Sequence, residues 1–229
     1  PKHLRRSEAR LKLGGLLQMR AEEALLKSGT DGQQEVPEAV QFFDQAHQLF
    51  ESTVAELAEM ESSLRGGRID ASDPKQVAER DRITVELREA ELLSAKSVEN
   101  RGRSRGITNP QRIADLQQAR KMFSDLYTKE KSLIAIRYYA LFYRSGIFQT
   151  LGQADDAIDG YLRIADLEGI DALRQLQTEA VTELAKVLAS EGKYEVAIER
   201  AHKWLSGLRS DEKSSFEAMQ LSLEYARIR

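Results

Sequence analysis

Two stretches of this chain say nearly the same thing forty residues apart. LGQADDAIDGYLRI runs from Leu151 to Ile164, and SEGKYEVAIERAHKW runs from Ser190 to Trp204. Gly152 and Gly192, Ala157 and Ala197, Ile158 and Ile198 fall in one register, and Asp171 and Asp211, expected to cap the helices that follow Gly169 and Gly207, stand at the same interval. A fixed period of roughly 20–50 residues marks an array of helical units, each burying its apolar face against a neighbour. The repeat therefore predicts helix, tight turn, returning helix, and then the same again.

The rest of the chain agrees with that class. No segment alternates Val, Ile and Thr between turn residues, so no sheet is expected. Only four prolines interrupt a chain that is 31% charged and 7% aromatic, a mix that suits helices with solvated outer faces. A formal charge of −3 over 229 residues provides no global attraction for nucleic acid or anionic membrane. The absence of cysteine excludes disulfides, thiolate metal sites and a cysteine nucleophile, but it leaves the compartment open. No apolar run reaches the roughly 18 residues that span a bilayer. The opening PKHLRRSEAR has neither an initiator Met nor a signal-peptide core, so an upstream segment removed either by processing or by design is expected.

Taken in order, the apolar spacing predicts nine helices. The first runs from about Leu4 to Lys27 on Leu4, Leu11, Leu16, Leu17, Ala24 and Leu25, and the Ser28–Gly32 turn ends it. The second starts at Pro37 and runs to Arg65, broken by Gly66-Gly67. Asp73-Pro74 and Asn109-Pro110 are cap-plus-proline starts for the third and fourth, with an RGRSRG loop after about Asn100. A break near Thr128–Ser132 follows from the period alone. The last segment, from about Glu212 to Arg229, is a helix without a returning partner. The count is four hairpins and a terminal helix, organised as long, degenerate hairpins over 1–130 and clear repeats over 131–229 in one continuous array.

The hairpins resemble tetratricopeptide repeats. In the third, Leu141, Ser145 and Phe148, then Gly152, Ala157 and Tyr161, follow the pattern of that family. In the fourth, Val181, Ala185 and Leu188 precede Gly192 and Ala197, while Ala201 replaces the aromatic and Trp204 lies a turn later. Ala39, Phe43 and Ala46, and Ala119, Phe123 and Leu126, match on the second helix only. The resemblance implies an all-α, right-handed α-solenoid of antiparallel helix hairpins. It also implies a non-enzymatic scaffold that binds a peptide or a partner helix on its concave face. The period of about forty, rather than the family's thirty-four, sets this chain apart.

The candidate site follows from the aromatic run Tyr138-Tyr139-Ala140-Leu141-Phe142-Tyr143. Consecutive helical residues differ by about 100°, so these rings cannot share one core. With Leu141, Ser145 and Phe148 inside the hairpin, Tyr139, Phe142, Tyr143, Gly146 and Gln149 line the inner face. Burial of these rings by a neighbouring hairpin is the other reading. The corresponding face of the next hairpin carries Glu179, Thr182, Glu183 and Lys186. Phe142 and Gly146 occupy places where the carboxylate-clamp members of the family hold polar and basic residues, so binding of a C-terminal acid in that manner is not expected.

Other clusters point to no chemistry. Arg101, Arg103, Arg105 and Arg112 read as a solvated basic loop, and Lys2, Arg5, Arg6 and Arg10 as an exposed helix face. Asp44-x-x-His47 and Glu199-x-x-His202 allow an alternative, a helical-bundle metal or redox protein built on His47 and His202. No facing glutamates complete such a site, so no metal and no cofactor are expected. Neither a phosphate loop nor a nucleophile elbow occurs, so catalysis is not expected. The arginine run is too short and lacks the interleaved aromatics of nucleic-acid-binding tails, so no nucleic acid is expected. The terminal helix carries Phe216, Met219, Leu221, Leu223, Ala226 and Ile228 on more than one side. A further helix is expected to cover it, and a second copy of the chain offers the same cover through self-association.

Overall fold

In a computed structural model, residues 2–29, 33–66 and 73–229 are described, residues 2–5 and 65–66 by backbone alone. The expected turn through Thr30–Gly32, the break at Gly67 and the side chains of Lys2, Leu4 and Arg5 lie outside the described residues. The described residues contain nine α-helices and no strand. None of the helices is long and apolar enough to cross a membrane. The chain divides into two compact units, 1–136 and 137–229.

The first unit contains α1 (Lys2–Ser28), α2 (Pro37–Gly66), α3 (Pro74–Ser104) and α4 (Pro110–Lys129). The side chains of Asp73 and Asn109 accept the backbone N–H of Lys75 and Gln111, both at 2.9 Å, so both starts follow the cap-plus-proline signal. Ala21, Ala24, Val36, Ala39 and Phe43 form one core cluster, and Leu57, Ile83, Leu87 and Ala90 another. Leu16, expected on the buried stripe of α1, is instead 57% exposed, because the core side is taken by Gly14, Ala21 and Ala24.

The RGRSRG segment is the main correction to the sequence reading. It is not a solvated loop: α3 continues to Ser104 and carries Arg101 and Arg103 in its last turn. Arg101 binds Asp44 at 2.5 Å and Asp115 at 2.9 Å, and Arg105 binds Asp115 at 2.6 Å. Arg112 donates to the Arg103 and Arg105 carbonyls. Gly102, which looks like a helix breaker, sits where a Cβ would lie 3.1 Å from Asp115 Cβ, so it lets α4 approach. Arg10 is likewise not on the free face of α1, since it bonds to Glu56 at 2.6 Å.

The second unit begins within α5 (Ile134–Thr150) and continues through α6 (Ala154–Ala165), α7 (Arg174–Ser190), α8 (Tyr194–Ser206) and α9 (Phe216–Ile228). The two repeated turns close in the same way. Gly152 and Gly192 take φ of 73° and 72°, the left-handed region that a Cβ disfavours. Gln153 N–H then reaches the Phe148 carbonyl at 2.9 Å, and Lys193 N–H reaches Leu188 at 2.8 Å, the six-to-one bond of a glycine-terminated helix. Ala157 and Ala197 are both fully buried.

The two forty-spaced aspartates do not cap helices. Asp171 opens a 3-10 turn without a side-chain cap, and Ser215, not Asp211, caps α9 through the Ala218 N–H. Asp171 binds Arg209 instead. Glu130 does the work of a cap between α4 and α5, accepting Ser132 and Leu133 N–H at 2.7 and 2.9 Å. That carboxylate also holds the buried Arg88.

Candidate functional site

The aromatic run lies on α5 in the second unit, and its rings are half-buried rather than sealed. Tyr139 and Tyr143, one turn apart, stack with centroids 6.2 Å apart. Phe142 meets Tyr143 edge-on at 5.7 Å and Tyr161 of α6 at 5.6 Å. Tyr161 is buried, and its hydroxyl donates to Gln149 Oε1 at 3.0 Å. Phe142 and Gln149 are thus tied into the α5–α6 hairpin, while Tyr139 and Tyr143 form a platform beside it. Gly146 is half-buried on the same helix, and its carbonyl accepts the Thr150 hydroxyl.

Acidic side chains border this platform. Burial pushes the Tyr139 hydroxyl above its ordinary range, and the nearby carboxylates of Glu179 on α7 and Glu217 on α9 push it the same way. Gln175 donates to Glu217 at 2.8 Å and also reaches Glu179 at 3.5 Å, linking α7 to α9. Glu183 and Lys186 pair at 2.7 Å along α7.

Thr182 does not belong with them. It is 4% exposed and its hydroxyl bonds to the Thr178 carbonyl, so it presents nothing to a partner. Helical spacing put Thr182 beside Glu179 and Glu183. Only the packing of α7, contacted by α6, α8 and α9, shows that this side of it is covered.

Two further clefts carry charge that the sequence did not signal as a site. In the second unit, Trp204 lies under the Arg174 guanidinium, 4.4 Å from the ring centroid, beside a cleft of about 410 Å³ with Arg200 and Lys203 on its wall. Its indole N–H donates to Thr178 at 3.1 Å. In the first unit, a cleft of about 1260 Å³ has Arg80, Lys129 and Lys131 at its edge and Arg88 in its wall. Arg88 is 4% exposed and shared among Glu61, Glu91 and Glu130, so its charge is already met. Arg88 stands in the sequence as one of many helical arginines, and only the three carboxylates from separate segments single it out.

The histidine pairs are engaged elsewhere. His47 Nδ1 lies 2.9 Å from Ser94 Oγ, and Asp44 is bonded to Arg101. Burial pushes the His47 imidazole below its ordinary range, with Arg101 adding to it against Glu51 and Asp44. His202 is exposed and stacks on Tyr225 at 5.9 Å. Among the described residues, no three His, Cys, Asp or Glu side chains are grouped to hold a metal ion.

No protein-family model matches this chain, and no curated protein is significantly similar to it.

Proposed function

We propose that this chain is a non-enzymatic protein-interaction scaffold, an α-solenoid similar to tetratricopeptide repeats, and that the second unit binds an extended peptide or helix. The observation that carries the reading is the Tyr139–Tyr143 platform, half open to solvent and bordered by Glu179 and Glu217. Aromatic faces beside carboxylates favour a partner that offers apolar side chains together with Lys or Arg, through burial, cation–π contact and charge pairing. The repeated glycine turns and the fully buried Ala157 and Ala197 support the family reading. On α9, Phe216, Met219 and Leu223 are 64%, 51% and 72% exposed and offer the same unit a second apolar surface.

The test uses Tyr139→Ala and two labelled peptide pools of equal length, one rich in Leu and Arg and one rich in Leu and Glu. Fluorescence polarisation is expected to show binding of the basic pool and at least a tenfold loss in the variant. Stability is expected to fall by less than the roughly 3–5 kcal/mol of a truncated core aromatic. Equal binding by wild type and variant, or a loss on the scale of a core cavity, overturns the assignment of this face.

A further inference from the structure

Helix α1 packs one face on the first unit and exposes the opposite face to solvent. Gly14 lies against the Phe50 ring, where a Cβ would come within 2.5 Å, and Ala21 and Ala24 are buried on the same side. Opposite them run Glu8, Lys12, Leu16, Met19, Glu23 and Lys27, spaced by four or three residues and so confined to a stripe about 100° wide. Leu16 and Met19 at its centre are 57% and 64% exposed. Leu13, Leu17 and Phe42 wall a cavity of about 560 Å³ beside them, with Arg20 and Glu23 on the same lining.

The order of charges along the stripe identifies the occupant. From one end it reads acid, base, two apolar residues, acid, base; read backwards, each acid becomes a base and each base an acid. Such a stripe is complementary to a reversed copy of itself. We propose that α1 is a two-fold, antiparallel self-association surface. Glu8 of one copy faces Lys27 of the second, Lys12 faces Glu23, and Leu16 faces Met19.

Each feature of the stripe fits that occupant. A two-fold contact requires one patch to match itself, and all four charge levels do so. A parallel pairing sets like charges against each other at every level, which disfavours it. The pairs Glu8–Lys12 at 2.8 Å and Glu23–Lys27 at 2.7 Å hold these side chains along the helix, ready to be shared across the contact. The overlap from Glu8 to Lys27 is about 30 Å long. A single helix pair of that length lies at the small end of specific interfaces, so the association is reversible, with Kd on the order of micromolar.

The experiment is a charge exchange between halves of the stripe in the full chain, followed by analytical ultracentrifugation across a hundredfold concentration range. Glu8→Lys with Lys12→Glu keeps the pair within the helix but puts Lys against Lys27 and Glu against Glu23 of the second copy. Glu23→Lys with Lys27→Glu does the same from the other side. The wild type is expected to dimerise, each exchanged variant to dimerise at least tenfold more weakly, and their equimolar mixture to recover a heterodimer. Circular dichroism confirms helix content in each. A wild type that stays monomeric, exchanged variants that dimerise as well as wild type, or a mixture that fails to recover the dimer each overturns the proposal. Phe216→Glu with Leu223→Glu on α9 is expected to leave this dimer unchanged; loss of association there assigns it to α9 and overturns α1. The Tyr139 peptide assay reads a different unit and fails or succeeds independently.

Discussion

Arg101 of α3 places its guanidinium 2.9 Å from the carboxylate of Asp115 on α4, and that carboxylate is completely buried. Arg105 reaches the other oxygen at 2.6 Å, so a helix end and the start of the next are locked by one acid. A buried charge loses its hydration, and the paired guanidinium groups must replace it.

Asp115→Asn is therefore expected to cost about 3–5 kcal/mol, because Arg101 and Arg105 lose their counter-charge in a partly dry site. Arg103→Ala is expected to cost clearly less, about 1 kcal/mol, since Arg103 is 40% exposed and its pairing with the buried Glu99 runs along its own helix. Urea unfolding of the two variants measures both, and equal effects contradict the distinction.

The same carboxylate sets an acid dependence. Burial pushes the Asp115 carboxyl up, but the Arg101 and Arg105 bonds outweigh it and hold it below its ordinary range. Its contribution is complete above the ordinary carboxylate range and is lost as pH falls through the depressed value. Glu212 behaves alike in the second unit, held at about 2 by Arg174 and the Arg209 N–H. Wild type is expected to lose stability between about pH 4.5 and 2, and Glu212→Gln to flatten that slope. An unchanged slope in thermal melts counts against the Arg174 pairing.

Glu86 carries the opposite sign. Its Oε2 is buried without a hydrogen bond, and burial raises its carboxyl above the ordinary range despite Arg82. The charged form opposes folding at neutral pH, and protonation relieves this as the pH falls. Glu86→Gln is expected to raise the melting temperature at pH 7 and to give no gain near pH 3. A variant less stable than wild type at pH 7 shows that the Arg82 pair dominates.

Gly160 of α6 faces Ser145 of α5 so closely that a Cβ there would collide with the serine Oγ. Gly160→Ala is expected to cost about 1–3 kcal/mol, and Ser145→Ala to recover part of it in the double variant. Ala157→Leu and Ala197→Leu, both at fully buried positions, fall in the same range. Neutral results at these sites contradict close packing of the repeats.

The repeat, the caps and the turn glycines made the helical elements legible in the sequence, because each depends on residues a few places apart. Asp73, Asn109, Gly152 and Gly192 act through their own backbone neighbours, so their roles can be read locally. The Tyr139–Tyr143 platform was legible for the same reason, as one turn separates the two rings.

Tertiary structure alone decided the rest. Sequence spacing gave Thr182 the same rank as Glu179, but the packing of α7 buried it. The glycine–arginine segment read as a loop because its order depends on Asp44 and Asp115, which stand on other helices. Gly160 showed no signal, since its need for an absent side chain lies in Ser145 across a helix contact. A charge or a missing Cβ acquires meaning from what folding brings against it, and helical periodicity specifies which side of a helix a residue occupies, not what covers that side.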